Sequence, residues 1–304
     1  GLVRCVVAGL PSDGFRPAMT QTSDPAALLA DFEARALTLR TPCGDGSMVW
    51  RVWGEGDPVV LLHGGFGSWN HWVRNIEALA ERYRVIAADM PGQGDSDNPD
   101  HPYDAESLAD IVAEGVRWVT HDGERVRMVC FSFGAVIGSL VAARLGDRVR
   151  SFTGVGAAGF GARGPVTRNM IRITPEMSPE EQETTYRHNL ALLMFADEAN
   201  VDDLAMLIQR RNTERNRIRS RPISVTDKLS VTLPSIQAPI SLIWGDRDVA
   251  AIGYFEPRHA LLRSLQPDAR IAMLDGIGHW VQYEDPERFN ATLLDFLADG
   301  PGAD

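Results

Sequence analysis

Short apolar runs alternate with amphipathic segments along most of this chain. The runs Pro58–Leu62 and Val126–Phe131 are apolar almost throughout, as expected for strands that are buried on both faces of a sheet. The segment Ala105–Val119 between them carries apolar residues at helical spacing. Strands that alternate with helices imply right-handed crossovers and a mostly parallel sheet with helices on both faces. The pattern therefore predicts an α/β fold.

Two other regions refine this prediction. Residues 36–53 alternate apolar and polar positions around a turn-rich stretch, which predicts a hairpin with one buried face. From residue 160 to residue 235 the strand pattern is lost and helical segments follow one another. We therefore predict a core domain of residues 25–159 and 236–304, a helical cap of residues 160–235 inserted into it, and a disordered N-terminal extension of residues 1–24.

The composition excludes several classes of function. The 304 residues are 44% hydrophobic and carry a net charge of -11, which allows a large core but not the basic surface that nucleic-acid binding requires. No apolar run approaches the roughly 18 residues that span a bilayer. We expect no metal and no cofactor, because metal-ligand spacing is absent among the histidines and among the cysteines (Cys5, Cys43 and Cys130). The same pattern of cysteines predicts a cytoplasmic setting. A small-molecule substrate is expected, and a homodimer stays open.

The serine at position 132 stands between a predicted strand and a predicted helix. The residues two before and two after it, Cys130 and Gly134, are both small. A tight strand-to-helix turn with small neighbours is typical of a nucleophile elbow, which exposes the serine hydroxyl above the sheet. Cys130 is then expected to face inward beneath the helix. The motif alone is degenerate, because a serine in this position can also be a simple helix N-cap.

Five motifs occur along the chain in a fixed order. They are H-G-G-F-G from His63, D-M-P-G-Q-G-D-S from Asp89, C-F-S-F-G from Cys130, G-D-R-D from Gly245 and G-I-G-H-W from Gly276. Each motif is weak, but their order and spacing resemble the α/β-hydrolase superfamily over residues 36–299 apart from the cap. The resemblance implies the α/β-hydrolase fold: a mostly parallel central sheet, flanking helices and an inserted cap. A serine at the elbow places the chain with the serine-nucleophile branch.

The resemblance also implies a catalytic triad. Ser132 is expected to attack a carbonyl carbon, and His279 to act first as general base and then as general acid. Asp248 is expected to orient His279, because the family's carboxylate lies three residues after the glycine that ends its strand. The backbone N–H groups of Gly65 and Phe133 are expected to form the oxyanion hole. His63 is expected to shape the glycine loop rather than to react.

Two short stretches indicate which hydrolases the chain resembles. The runs G-H-W-V-Q-Y-E from Gly278 and H-G-G-F-G-S-W from His63 look like the meta-cleavage product hydrolases, which cut an activated carbon–carbon bond. Against this resemblance, Phe131 stands where those enzymes typically carry an asparagine. The expected substrate is a medium-sized, largely apolar carbonyl compound, with an acid group as an option. The expected substrate-binding residues are Phe66, Phe131, Trp280, Arg210 and Arg211.

Three functions stay open on these residues. The first is hydrolysis of an ester or of an activated carbon–carbon bond through an acyl-enzyme or a related tetrahedral intermediate. The second is a cofactor-free haloperoxidase or perhydrolase, which shares the fold and the triad. The third is a non-catalytic ligand-binding protein on the same fold, which the complete set of triad residues argues against.

Overall fold

The computed structural model describes residues 24–162, 164 and 169–298. The predicted extension of residues 1–24 therefore lies, except for Asp24, outside the described residues. In the described part the chain forms one eight-stranded sheet with the strand order β1-β2-β4-β3-β5-β6-β7-β8. The strands are β1 Leu37–Cys43, β2 Gly46–Trp53, β3 Pro58–Leu62, β4 Arg84–Asp89, β5 Val126–Phe131, β6 Val149–Val155, β7 Ile240–Gly245 and β8 Arg270–Leu274.

The sheet is mostly parallel, as predicted. Strand β2 pairs in antiparallel fashion with both β1 and β4, whereas the pairs from β4 through β8 are parallel. The carboxyl ends of the parallel strands consequently lie along one edge of the sheet. In open α/β sheets, ligand sites form at this edge.

Helices cover both faces of the sheet. They are α1 Pro25–Arg35, α2 Ile76–Ala80, α3 Ala105–Val119, α4 Phe133–Leu145, α5 Pro179–Met194, α6 Asp203–Glu214, α7 Arg221–Ser224, α8 Lys228–Thr232, α9 Phe255–Leu265, α10 Val281–Glu284 and α11 Pro286–Leu297. Successive side chains of β3 point to opposite faces, so Val60 and Leu62 join the apolar cluster that contains α3 and α4. Val59 and Leu61 join the opposite cluster, which contains α2 and α11.

One predicted helix differs from the structure. The apolar and polar spacing of residues 72–82 predicts a single amphipathic helix, but the structure has a 3-10 turn at Trp69–Trp72 and the short helix α2. Between them the buried Asn75 donates from Nδ2 to the carbonyl of Gln282 (2.8 Å) and to Oδ1 of Asn290 (2.8 Å). These contacts with distant residues fix the chain in a turn that the local pattern does not specify.

The segment between β6 and β7 contains α5 to α8 and, among its described residues, no strand. Its helices pack on the core, where the N–H of Trp280 donates to the carbonyl of Met194 (2.8 Å). The side chain of Asn212 on α6 accepts hydrogen bonds from Ser68 (3.0 Å) and from Asn70 (3.1 Å). The exact division into a core domain and a cap stays a prediction. Within the described ranges, no helix is both long and apolar enough to cross a membrane.

Candidate active site

Ser132 occupies a strained turn between β5 and α4. Its φ of 50° and ψ of -115° lie in a region that residues with a side chain rarely adopt. The N–H of Ser132 donates to the carbonyl of Val155 (2.9 Å), which helps to hold this geometry. A Cβ on Gly134 would lie 2.7 Å from the carbonyl oxygen of Leu62, so only glycine fits there. The turn has the form of a nucleophile elbow.

Cys130 packs inward below this turn. It is fully buried, and a Cβ on Gly138 of α4 would overlap its sulfur. Burial raises the pKa of the Cys130 thiol well above its ordinary value, so the thiol stays protonated. Cys130 therefore packs beneath α4, and it does not line the cavity above Ser132.

Three side chains from the ends of different strands form one hydrogen-bonded chain. His279 Nε2 lies 2.9 Å from Ser132 Oγ, and His279 Nδ1 lies 2.8 Å from Asp248 Oδ2. Asp248 and His279 are 1% and 5% exposed, so their hydrogen bond is shielded from water. Asp246, the other aspartate of the G-D-R-D motif, instead accepts the N–H of Gly276 (2.7 Å) at a turn. The geometry thus brings together the three residues predicted from the sequence.

Gly65 and Phe133 border Ser132 from two sides. A Cβ on Gly64 would lie 3.4 Å from the Cβ of Ser132, so the glycine loop passes directly beside the serine. Phe133 is the first residue of α4, where backbone N–H groups have no partner within the helix. Within the described part of the chain, neither the N–H of Gly65 nor that of Phe133 donates to a protein acceptor. Both groups are available to an oxygen bound next to Ser132.

Two buried histidines support the glycine loop. His63 Nε2 accepts the N–H of Met90 (2.9 Å), and its Nδ1 lies 2.7 Å from the carbonyl of Gly64. The N–H of Gly64 donates to His71 Nδ1 (3.3 Å). Burial lowers the pKa of His63 to about 4 and that of His71 well below its ordinary value, so both rings are neutral near pH 7. His63 thus links the glycine loop to the end of β4, as its predicted structural role requires.

A cavity of about 1120 Å³ opens above Ser132, between the sheet edge and α5 to α7. The predicted contacts Phe66 and Phe131 line it. Its other large apolar lining residues include Phe160, Met170, Ile171, Ile173, Leu190, Leu193, Met194 and Ile218. Trp280, the third predicted aromatic contact, does not line the cavity. Its fully buried ring stacks on Tyr283 at 4.1 Å, and its indole N–H donates to the carbonyl of His71 (3.0 Å).

The two arginines predicted to bind substrate lie outside this cavity. Arg210 pairs with Glu183, and Arg211 pairs with Glu33 of α1. Both are therefore paired with acids on neighbouring helices, and the structure does not bring either arginine to the cavity. The arginines that do line the cavity are Arg172, Arg219, Arg221 and Arg258. No aspartate or glutamate is found among the described lining residues.

Glu284 is a positioning residue that sequence reasoning missed. Its carboxylate accepts the N–H of Gly278 (2.7 Å), next to the histidine of the triad. It also accepts the N–H of Ala196 (3.0 Å) and the side chain of Asn200 (3.0 Å), which follow α5. The only sequence signal for it was its place at the end of the G-H-W-V-Q-Y-E run.

Among the residues that the structure describes, no cluster of histidine, cysteine or acidic side chains suits a metal ion.

The elbow, the hydrogen-bonded chain of Ser132, His279 and Asp248, and the mostly parallel sheet are the features expected of an α/β hydrolase. Residues 59–292 match the sequence model of the family described as "Alpha/beta hydrolase family". The chain therefore belongs to the α/β hydrolase family, and the predictions of its fold and of a hydrolase are confirmed.

Three known hydrolases are similar to this chain. The chain is 29% identical over 266 residues to the 2-hydroxy-6-oxo-6-phenylhexa-2,4-dienoate hydrolase of Burkholderia cepacia, covering 81% of this chain and 90% of that protein. The structure of a meta-cleavage product hydrolase from Pseudomonas fluorescens matches with a TM-score of 0.66 and 25% identity, over 85% of this chain and 96% of that one. An esterase from a Rhodococcus species shares the fold, with a TM-score of 0.69 and 24% identity over 85% of this chain and 98% of that one.

Proposed function

We propose that this enzyme cleaves an ester or an activated carbon–carbon bond of a medium-sized, largely apolar carbonyl substrate, with Ser132 as the nucleophile. The observation that carries the proposal is the chain of two hydrogen bonds, 2.9 Å and 2.8 Å long, that joins Ser132 through His279 to the buried Asp248. A serine hydroxyl becomes a strong nucleophile only when a base takes its proton. The triad supplies that base at the floor of a cavity.

Each group then has a distinct role in the reaction. Ser132 Oγ forms a bond to the carbonyl carbon while its proton moves to His279 Nε2, and the carbonyl electrons move to the oxygen. Asp248 holds His279 in the tautomer with a proton on Nδ1 and stabilises the imidazolium. The N–H groups of Gly65 and Phe133 bind the negative oxygen. Collapse of this intermediate expels the leaving group, which takes the proton from His279, and water then releases the acyl group.

Similarity to carbon–carbon bond hydrolases supports a vinylogous diketone acid as the first substrate to test. The relative from Burkholderia cepacia is named for hydrolysis of such a dienoate. Phe131 gives the cavity an apolar wall beside Ser132, where the resemblance implies an asparagine in those enzymes. Simple esters react through the same triad and oxyanion hole, so the proposal includes them.

The charge of the cavity supports an acid group on the substrate. On a protein of net charge -11, the described lining carries four arginines and no acid. In the described part of the chain, Arg172, Arg219 and Arg221 form no ion pair. A guanidinium group binds a carboxylate through two parallel hydrogen bonds. These three arginines replace Arg210 and Arg211 as the proposed contacts of the acid group.

Covalent labelling tests the nucleophile. A fluorophosphonate probe should label the wild-type enzyme at Ser132, and Ser132→Ala should be neither labelled nor active. Turnover of p-nitrophenyl esters of graded chain length and of a dienoate diketone then identifies the bond that is cleaved. Activity of Ser132→Ala within tenfold of wild type would refute the proposal.

Matched arginine variants test the acid group. The kcat/KM for a keto-acid and for its neutral methyl ester is compared in wild type, Arg219→Ala and Arg221→Ala. A lost charge-assisted pair costs about 1.5–3 kcal/mol, so one of these variants should lower the preference for the acid by about tenfold or more. Arg210→Ala is the control, because its partner Glu183 lies outside the cavity. An unchanged preference in both cavity variants would remove Arg219 and Arg221 from the proposal.

A further inference from the structure

Ser220 is a buried hydroxyl-bearing residue that the triad does not use. It immediately precedes α7, is 3% exposed and lines the cavity. Its carbonyl accepts the Ser224 hydroxyl (3.1 Å) and the N–H of Ser224 (3.0 Å). Its own hydroxyl does not cap the helix and has no hydrogen-bond partner in the described part of the chain. Because Ser220 lines the cavity, a ligand bound there can satisfy this hydroxyl.

The position of Ser220 relative to the glycine loop indicates what that ligand is. A Cβ built on Gly65 would lie 2.6 Å from Ser220 Oγ, 3.3 Å from Ser220 Cβ and 3.8 Å from Phe133 Cβ. Because a carbon–carbon bond is about 1.5 Å long, the hydroxyl oxygen lies within about 4 Å of the Gly65 Cα. Ser220 therefore lies beside Gly65, one of the two residues whose N–H groups are proposed to bind the oxyanion, and Phe133 borders the same point on Gly65.

We propose that the Ser220 hydroxyl donates a third hydrogen bond to the oxyanion that forms next to Ser132. This inference rests on the proposed function, because it requires the attack by Ser132. A hydroxyl can rotate toward the negative oxygen as the charge develops, whereas the two backbone donors are fixed. The third donor comes from the segment between β6 and β7, so the oxyanion hole is complete only when that segment is docked as in this structure.

The test separates binding of the transition state from binding of the substrate. Ser220→Ala should lower kcat by about 10- to 100-fold with little change in KM, which is at or below the low end of the roughly 100- to 1000-fold effect of removing one oxyanion donor. Affinity for phenylboronic acid, which forms a tetrahedral adduct with the serine, should fall by a similar factor. Affinity for benzoate, which forms no adduct, should stay within about twofold. The control Ser230→Ala removes a hydroxyl of α8 that donates to the Asp227 carbonyl (2.8 Å) away from the cavity.

Two results would overturn the inference. One is a Ser220→Ala enzyme with wild-type kcat and wild-type affinity for phenylboronic acid. The other is a structural effect of the substitution. It would appear as an equal loss of affinity for benzoate and for phenylboronic acid, or as a fall in the thermal transition temperature large enough to explain the lost activity. Ser132→Ala is measured in parallel: if it is inactive while Ser220→Ala is not impaired, only the third donor is refuted and the proposed function stands.

Discussion

The buried His63 makes the stability of this protein depend on pH. The imidazole is inaccessible to water, and burial lowers its pKa to about 4, against the weaker opposing effects of the Gly64 carbonyl and Asp89. Its Nε2 accepts the N–H of Met90, so a proton on that nitrogen would also break a hydrogen bond at the end of β4. The folded protein therefore keeps His63 neutral under conditions in which an exposed histidine is charged.

The size of the effect follows from the two pKa values. A histidine in the unfolded chain has a pKa of about 6.5, and each unit of difference in pKa corresponds to about 1.4 kcal/mol. The free energy of unfolding therefore falls by ~3 kcal/mol because of His63 once the pH is low enough to protonate the unfolded chain. The sign is set by the lowered pKa. Above about pH 6.5 both states are neutral and there is no penalty, whereas below it the unfolded chain binds the proton first. Stability is thus lost between about pH 6.5 and pH 4.

The perturbation is His63→Gln, whose amide has a donor and an acceptor but does not titrate. The free energy of unfolding is measured with urea at pH 7, 6, 5 and 4. Wild type should lose ~3 kcal/mol more than the variant over this range, although the variant should start lower at pH 7. His121→Gln controls for the loss of an exposed histidine. If His63→Gln and wild type lose the same free energy within about 1 kcal/mol, the argument that His63 is held neutral by burial is wrong.

Two further predictions concern the catalytic residues. Asp248→Asn should reduce kcat by about 10,000-fold, because the amide favours the wrong tautomer of His279, whereas Asp246→Asn should lose far less; a larger loss at Asp246 would contradict the assignment. Cys130→Gly should keep much of the activity that Ser132→Ala loses, because the sulfur packs against Gly138 away from the cavity. An inactive Cys130→Gly of wild-type stability, measured by thermal unfolding, would point to a role for the thiol in the reaction.

The sheet and the triad could be predicted because local patterns specify them. Strand β5 and helix α3 have the bounds that their apolar patterns predict. The strand is buried on both faces and the helix on one face, so burial determines where apolar residues occur in each. Ser132 and His279 follow such strands or adjoin such helices, so the sheet carries them to one edge. The 3-10 turn at Trp69–Trp72 could not be predicted in this way, because the buried Asn75 and its distant partners determine it.

The substrate end of the site depends instead on which acids lie near each arginine after folding. Arg210 and Arg211 look available in the sequence, but α5 and α1 bring Glu183 and Glu33 to them. Arg219 and Ser220 lie outside any long helix, so no periodicity indicates which way they face. Their position follows from a tertiary contact, the hydrogen bond from the N–H of Arg219 to the Tyr103 hydroxyl (2.9 Å).

Charge pairing then separates structural arginines from those left for a ligand. Arginines of the same run that meet an acid are neutralised within the protein, as Arg215 is by Asp95. Arg219 and Arg221 flank Ser220 at the cavity and meet no acid among the residues described. Arg219 and Arg221 thus place two guanidinium groups at the cavity, one on each side of Ser220. We expect a negative charge there on two groups: the acid group of the substrate, and the oxygen of the transition state.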